Sequence, residues 1–132
     1  MPHVLVVEDD KNSRDVVASY LKREGHRVTT AEDGETALRE LINQPADVIV
    51  LDVRMSTMNG IELLELLRSY RRWNRLPVIL VTGNADPGEM RQARDLGVDY
   101  IFHKAGFQLL ELGKAIEAVC RLPADGNDTQ AS

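Results

Sequence analysis

The chain has 132 residues, 43% of them hydrophobic. That is enough for one globular domain burying roughly 65 to 70% of its unfolded surface without disulfide or metal staples. Sixteen Lys and Arg against 21 Asp and Glu leave a net charge of −5, a poor match for non-specific binding to nucleic acid or an anionic membrane, and the single cysteine, Cys120, excludes an internal disulfide.

The segment "HVLVV" (3 to 7) reads as a first strand, short and rich in Val. "NSRDVVASYLKREG" follows as a helix, with Asn12 as candidate cap, apolar residues at 16, 17, 20 and 21, and Gly25 where it would end. "RVTTA" (27 to 31) is a second strand, and a second helix begins near Asp33 and carries Ala37, Leu38, Leu41 and Ile42. "DVIVL" (47 to 51) is a third strand. After it, "GIELLELLRSYRRW" puts Ile61, Leu64 and Leu67 on one helical face, widened by Leu63 and Leu66. "PVILV" (77 to 81) is a fourth strand. The helix after it is delimited by Asp86 as cap, Pro87 at its first position and Gly97 past its end, and only Met90, Ala93 and Leu96 are apolar. "DYIFH" (99 to 103) completes the strands, and a last helix runs from about Phe107 to Arg121 with Leu109, Leu112, Ile116 and Val119 at helical spacing. Residues 1 to 122 thus form one expected domain. "PADGNDTQAS" (123 to 132) has no apolar periodicity and reads as a tail or the start of a linker.

Five strands alternating with five helices predict a doubly wound α/β sandwich, because parallel neighbours need crossovers and helices are the usual ones. No apolar run approaches the ~18 residues that cross a bilayer, and no basic leader precedes "VLVV", so the expected compartment is a reducing one such as the cytoplasm.

The puzzle is why the apolar run "VIVL" (48 to 51) ends in Asp52, since a carboxylate delivered by a buried strand is costly unless something pairs with it or uses it. In open α/β sheets ligands collect beyond the carboxyl ends of the strands. Those ends carry Glu8, Asp9 and Asp10, then Asp52, Thr82 and Lys104. Carboxylates a few Å apart repel by roughly 4 kcal/mol per pair at an effective dielectric of 20, a penalty that a divalent cation removes. All-oxygen ligands suit Mg²⁺. An aspartate beside such an ion can attack phosphorus to give an acyl phosphate, with Lys104 neutralising charge and the Thr82 hydroxyl holding a phosphate oxygen. Asp10 reads better as a helix-start residue than as a third metal ligand.

"VLVVEDD", "VIVLDVRMSTMNG", "VILVTG" and "YIFHKA", in this order and spacing over about residues 3 to 121, resemble the receiver domain of bacterial response regulators, of the chemotaxis-regulator type. The resemblance implies a flavodoxin-like three-layer α/β/α sandwich with a five-stranded sheet in the order 2-1-3-4-5. It implies Asp52 as phosphoacceptor, Glu8 and Asp9 as the acidic pair holding Mg²⁺ with Asp52 and the backbone carbonyl of Arg54, Thr82 as the switch hydroxyl and Lys104 as the phosphate-contacting amine. The donor would be a phosphohistidine on a sensor histidine kinase or phosphotransfer protein. The readout would be a surface of helix four, strand five and helix five that meets a downstream protein, a missing effector domain or a second copy of the chain, with no nucleic acid or membrane engaged directly. The domain would catalyse its own phosphorylation and dephosphorylation and turn over no separate substrate.

Three positions depart from the family pattern. Ser56 stands where Pro usually follows "RM", Ala105 stands where Pro usually follows the lysine, so that a cis peptide has less support there, and Ile101 replaces an aromatic that swings inward on activation, with Tyr100 one place earlier. Arg54 and Asn84, each two places beyond a key residue, are expected to line the path of the attacking water and tune the lifetime of the phosphate.

The remaining motifs have plainer readings. Arg68, Arg71, Arg72, Trp73 and Arg75 read as a solvated helix end with a half-buried Trp more readily than as a nucleic-acid patch. His3, His26 and His103 lack metal-ligand spacing, and Met55, Met58 and Met90 read as packing residues. Among rival functions, a haloacid-dehalogenase-type phosphohydrolase would need a second Asp where Arg54 stands, and "GNADPGEM" lacks the lysine and hydroxyl of a phosphate-binding P-loop. A non-phosphorylated pseudo-receiver usually lacks an acid or the lysine, and all are present here.

Overall fold

Every residue of the first strand, β1 (His3–Val7), is buried, as required of a strand covered on both faces. The computed structural model describes residues 2–55, 57–83 and 86–121. In chain order these form β1, α1 (Lys11–Arg23), β2 (Arg27–Ala31), α2 (Gly34–Asn43), β3 (Val48–Leu51), α3 (Gly60–Arg68), β4 (Val78–Thr82), α4 (Pro87–Asp95), β5 (Tyr100–His103) and α5 (Leu109–Arg121). All strand pairs are parallel and the sheet order is β2-β1-β3-β4-β5. This is the expected doubly wound sheet in the expected order.

Strand alternation decides which helices cover which face. Val4 and Val6, Val48 and Val50, and Ile79 and Val81 pack with Leu21 of α1 and Leu112, Ile116 and Val119 of α5. The intervening Leu5 and Val7, Ile49 and Leu51, and Val78 and Leu80 pack with Leu41 of α2, Leu63, Leu64 and Leu67 of α3, and Met90 and Ala93 of α4. Met55 and Met58 lie against this second core, so the three methionines read as packing residues do pack.

The helix starts follow from side-chain chemistry. Asp33 caps α2 by accepting from the Thr36 N–H at 2.8 Å, and Asn59–Glu62 and Asp86–Glu89 are complete capping boxes at α3 and α4. Asn12 does not cap α1. Asp10 does, accepting from the Ser13 N–H at 2.8 Å, so the helix begins before Asn12. The amide hydrogen bonds from Ser13 and Thr36 hold the Asp10 and Asp33 carboxyls below their ordinary pKa.

Other boundaries also move. The third helix ends at Arg68 rather than at Trp73, because the Ser69 hydroxyl turns back to the Leu66 carbonyl at 2.6 Å and residues 70 to 75 form successive turns. β3 and β5 start one residue later than expected, β4 runs 78–82 instead of 77–81, and α5 starts at Leu109. Val16, expected on the buried stripe of α1, is 55% exposed. Among the described residues no peptide bond is cis. Ser56, Asn84 and the 123 to 132 tail lie outside the described residues.

Arg68 leaves the basic cluster it was grouped with. Its guanidinium donates to the carbonyls of Leu96 at 2.7 Å, Leu76 at 2.8 Å, Trp73 at 3.0 Å and Gly97 at 3.3 Å, tying the turns after α3 to the end of α4. Arg72 stacks over the Trp73 ring, 5.2 Å from its centroid, while Arg71 and Arg75 are exposed. Arg68→Ala strands several carbonyls at once and is expected to cost about 2 kcal/mol. Urea unfolding checks this, and a loss under about 0.5 kcal/mol, the usual range of a surface substitution, would show that water replaces the guanidinium without penalty.

Candidate functional site

The sheet changes direction between β1 and β3, the two strands from which the chain winds outward in opposite senses, and a crevice opens beyond their carboxyl ends. Glu8 and Asp9 follow β1 there, and Asp52 follows β3. The register continues past both strands, since the Asp52 N–H donates to the Val7 carbonyl at 3.1 Å and the Glu8 N–H to the Ala31 carbonyl at 3.1 Å. Side-chain parity then places Glu8 above Val4 and Val6, Asp52 above Val48 and Val50, and Lys104 above Phe102, all on the α1/α5 side.

The contacts agree with that parity. The Lys104 ammonium donates to Glu8 Oε1 at 2.9 Å and to Asp52 Oδ2 at 3.1 Å, across 96 and 52 residues of sequence. Glu8 and Asp52 are 7% and 5% exposed, so this is a nearly dry pair of acids held by a partly exposed ammonium. Burial lowers the Lys104 pKa, but the hydrogen bonds and charges of Glu8 and Asp52 outweigh it and hold the group above its ordinary value. Oxygens of Glu8, Asp9 and Asp52 lie within 4.8 Å of one another, the one such trio of metal-capable side chains among the described residues. Three carboxylates against one ammonium leave an excess of two negative charges, and an all-oxygen donor set of this charge fits a hard divalent cation.

Local structure fixes each member. The Asp10 N–H donates to Glu8 Oε2 at 3.0 Å, and Arg14 reaches back from α1 to the Glu8 and Asp9 carbonyls at 2.9 and 3.4 Å. The Lys104 N–H donates to the Thr82 carbonyl at 2.8 Å. At the start of α3, the Gly60 N–H donates to the Val53 carbonyl at 2.8 Å, and a Cβ on Gly60 would lie 2.3 Å from the Asp52 carbonyl oxygen. The helix therefore presses directly on the backbone that carries Asp52.

Thr82 stands apart from the trio. It follows Val78 and Leu80 in parity, on the α3/α4 side, and its fully buried hydroxyl oxygen has no hydrogen-bond partner. A buried hydroxyl left unpaired costs about 1 to 3 kcal/mol. Ile101, on the same side, packs against the α2/α3/α4 core. The nearby aromatics lie elsewhere: Tyr100 stacks on Phe102 with centroids 6.0 Å apart, and Phe102 meets Phe107 at 5.3 Å.

Two features were not legible beforehand. Arg54, whose N–H donates to Asp52 Oδ1 at 3.3 Å, sends its guanidinium to Glu89 Oε1 at 3.0 Å, linking the loop after Asp52 to the first turn of α4. The Arg54 side chain is half exposed, and a pair of this kind contributes about 0 to 1 kcal/mol. The capping box of Glu89 is readable as Asp-x-x-Glu, but its meeting with Arg54, 35 residues away, has no sequence signal. The second feature is a mostly apolar cleft of about 390 Å³ between α1 and α5, rimmed by Glu8, Asp52 and Lys104 and floored by Val17, Val50 and Phe107.

The family model described as the response regulator receiver domain matches residues 4–117. The transcriptional regulatory protein AfsQ1 of Streptomyces coelicolor is 40% identical over 99 residues, 75% of this chain and 43% of that protein. The sensory transduction protein RegX3 of Mycolicibacterium smegmatis is 34% identical over 131 residues, 99% of this chain and 56% of that protein. The chain thus spans about half the length of these curated relatives. Among solved structures, a response regulator receiver protein from Pseudomonas putida superposes with a TM-score of 0.84 at 30% identity, covering 89% of this chain and 96% of that one. The chemotaxis protein CheY4 of Vibrio cholerae gives 0.83 at 29% identity, covering 90% and 98%.

Proposed function

The chain belongs to the response regulator receiver family of two-component signalling, and from that premise we propose that Asp52 is its phosphoacceptor. The observation that carries the proposal is the Lys104 ammonium bridging the buried Glu8 and Asp52 carboxylates, with Asp9 beside them. A side-chain oxygen of Asp52 attacks the phosphorus of a phosphohistidine on a sensor histidine kinase or phosphotransfer protein. The P–O bond forms as the P–N bond breaks, and the electron pair returns to the imidazole, which leaves neutral when its other nitrogen is protonated. Lys104, already on Asp52 Oδ2, follows the charge onto the phosphoryl oxygens, and the unpartnered Thr82 hydroxyl donates to one of them.

Glu8, Asp9 and Asp52, with the backbone carbonyl of Arg54, would hold Mg²⁺. When bound, the ion neutralises the acid cluster and the charge on the transferring group. We read residues 1–122 as the receiver and 123–132 as a tail or linker. The protein acts in the cytoplasm as a switch with no separate substrate, and its output surface, built of α4, β5 and α5, meets a downstream protein, an effector domain or a second copy. Arg54 and Asn84 set how long the phosphate survives.

Intact-mass analysis after incubation with a small acyl phosphate is expected to show one added phosphoryl group with Mg²⁺ and none with a chelator. No addition under either condition would favour a pseudo-receiver that signals by contact alone.

A further inference from the structure

Arg54 carries a guanidinium whose backbone is bonded to the Asp52 carboxylate, yet that guanidinium points to α4. Its partner Glu89 also serves as the capping-box acid, since Glu89 Oε1 accepts both the Arg54 guanidinium at 3.0 Å and the Asp86 N–H at 3.3 Å. One carboxylate oxygen therefore joins the phosphoacceptor loop to the start of α4. From this geometry, and resting on the reading of Asp52 as phosphoacceptor, we propose that Glu89 is a positioning residue for the aspartyl phosphate: it competes with the phosphoryl group for Arg54, and so shortens the life of the phosphate and ties the start of α4 to its presence.

A guanidinium prefers a dianionic phosphoryl group, with three acceptor oxygens, to a single partly exposed carboxylate. The Arg54–Glu89 pair is weak enough to break. Arg54 begins beside Asp52, and its guanidinium is drawn to Glu89 at the start of α4. Hydrolysis requires the water oxygen to bond to phosphorus on the face opposite Asp52 while the P–O bond to the carboxylate breaks. The electron pair returns to Asp52, and both water hydrogens leave with orthophosphate. A guanidinium laid across that face blocks the water, whereas one retained by Glu89 leaves the face open. Release of Glu89 also removes the tie that α4 has to the phosphoacceptor loop, so charge at Asp52 is felt at Asp86 and Glu89 without an aromatic gate at Ile101. Arg54 has other interactions in the structure; the proposal needs only its exchange with Glu89.

Glu89→Gln is the discriminating variant, because glutamine keeps the acceptor of the capping box and loses the charge. In the full chain, phosphorylated with an acyl phosphate and Mg²⁺ and then freed of donor, Glu89→Gln is expected to lengthen the phosphate half-life about threefold, the scale an exposed ion pair can impose. The same change in an Arg54→Ala background is expected to have no effect. As a second readout, the backbone amide resonances of Asp86 and Glu89 should shift further on phosphorylation of the wild type than of Arg54→Ala, and equal shifts in the two would overturn the tie through Arg54. An unchanged half-life in Glu89→Gln, or an equal lengthening without Arg54, overturns the competition. Failure of the wild type to accept phosphate would instead sink the reading of Asp52, so the two failures are distinguishable.

Discussion

Asp52→Asn is expected to accept no phosphoryl group from an acyl phosphate and Mg²⁺ while keeping the fold. The amide is isosteric with the carboxylate but supplies no anionic nucleophile, so the acyl phosphate cannot form. Its stability should hardly fall. The carboxamide oxygen of the variant can still accept from the Lys104 ammonium as Asp52 Oδ2 does, while the amide nitrogen replaces Oδ1 and gives up only the longer bond from the Arg54 N–H. Removing one of three carboxylates within 4.8 Å also relieves repulsion of several kcal/mol per pair at an effective dielectric near 20, against a lost attraction to Lys104 of similar size. The net change without metal should lie within about 1 kcal/mol of zero. A rise in melting temperature on adding Mg²⁺ is expected of the wild type and should shrink in the variant with the loss of one ligand. Intact mass and thermal melts with and without Mg²⁺ check both statements. An adduct equal to that of the wild type would move the acceptor off Asp52.

Gly60→Ala is expected to lower stability by about 2 kcal/mol and to slow phosphorylation severalfold or more. Two effects compete. Alanine is the better helix former by up to about 1 kcal/mol, which alone would stabilise α3. Against that, the added Cβ would sit 2.3 Å from the Asp52 carbonyl oxygen and 3.0 Å from Val53 Cα, both backbone atoms that cannot rotate aside. Either α3 or the Asp52–Val53 backbone must shift, and overpacking of this kind costs about 1 to 3 kcal/mol. Overlap wins because the contact is with backbone. A shift of the backbone bearing Asp52 also moves the nucleophile relative to Lys104, where small displacements cost much rate. Gly113→Ala is the control, since its Cβ would meet only the Tyr20 ring edge and hydroxyl, each at 3.8 Å, and the propensity gain is expected to show. Urea unfolding of both variants and phosphorylation time courses of Gly60→Ala test the pair of effects. A Gly60→Ala protein as stable and as reactive as the wild type would mean that the helix start relaxes freely.

Much of the fold was legible because local chemistry and burial agreed. Asp86, Pro87 and Gly97 bound α4 as expected, with Gly97 at φ +78° where a side chain would be strained. Strands covered on both sides are short and apolar but for a residue at one end, His3 in β1 and Thr82 in β4, which is why β1, β3 and β4 stood out. The misses came where two local signals competed. Asp10 and Asn12 are both good caps, and the choice fell to Asp10 because its carboxylate reaches the Ser13 amide. The apolar and basic run after Leu67 continued a helical pattern, but Arg68 found four carbonyls outside the helix and the chain turned instead.

The order of residues by itself determined the alternation of strand and helix, the two-sided burial of the sheet, and which polar side chains stand at strand ends, since each depends on periodicity and on capping within a few residues. Only the tertiary structure decided that Lys104 reaches both Glu8 and Asp52, that Thr82 keeps an unpaired hydroxyl on the other face, and that Arg54 meets Glu89. Those meetings depend on the strand order and the parity of the sheet. They join residues 35 to 96 positions apart, and no local preference encodes a distance of that kind.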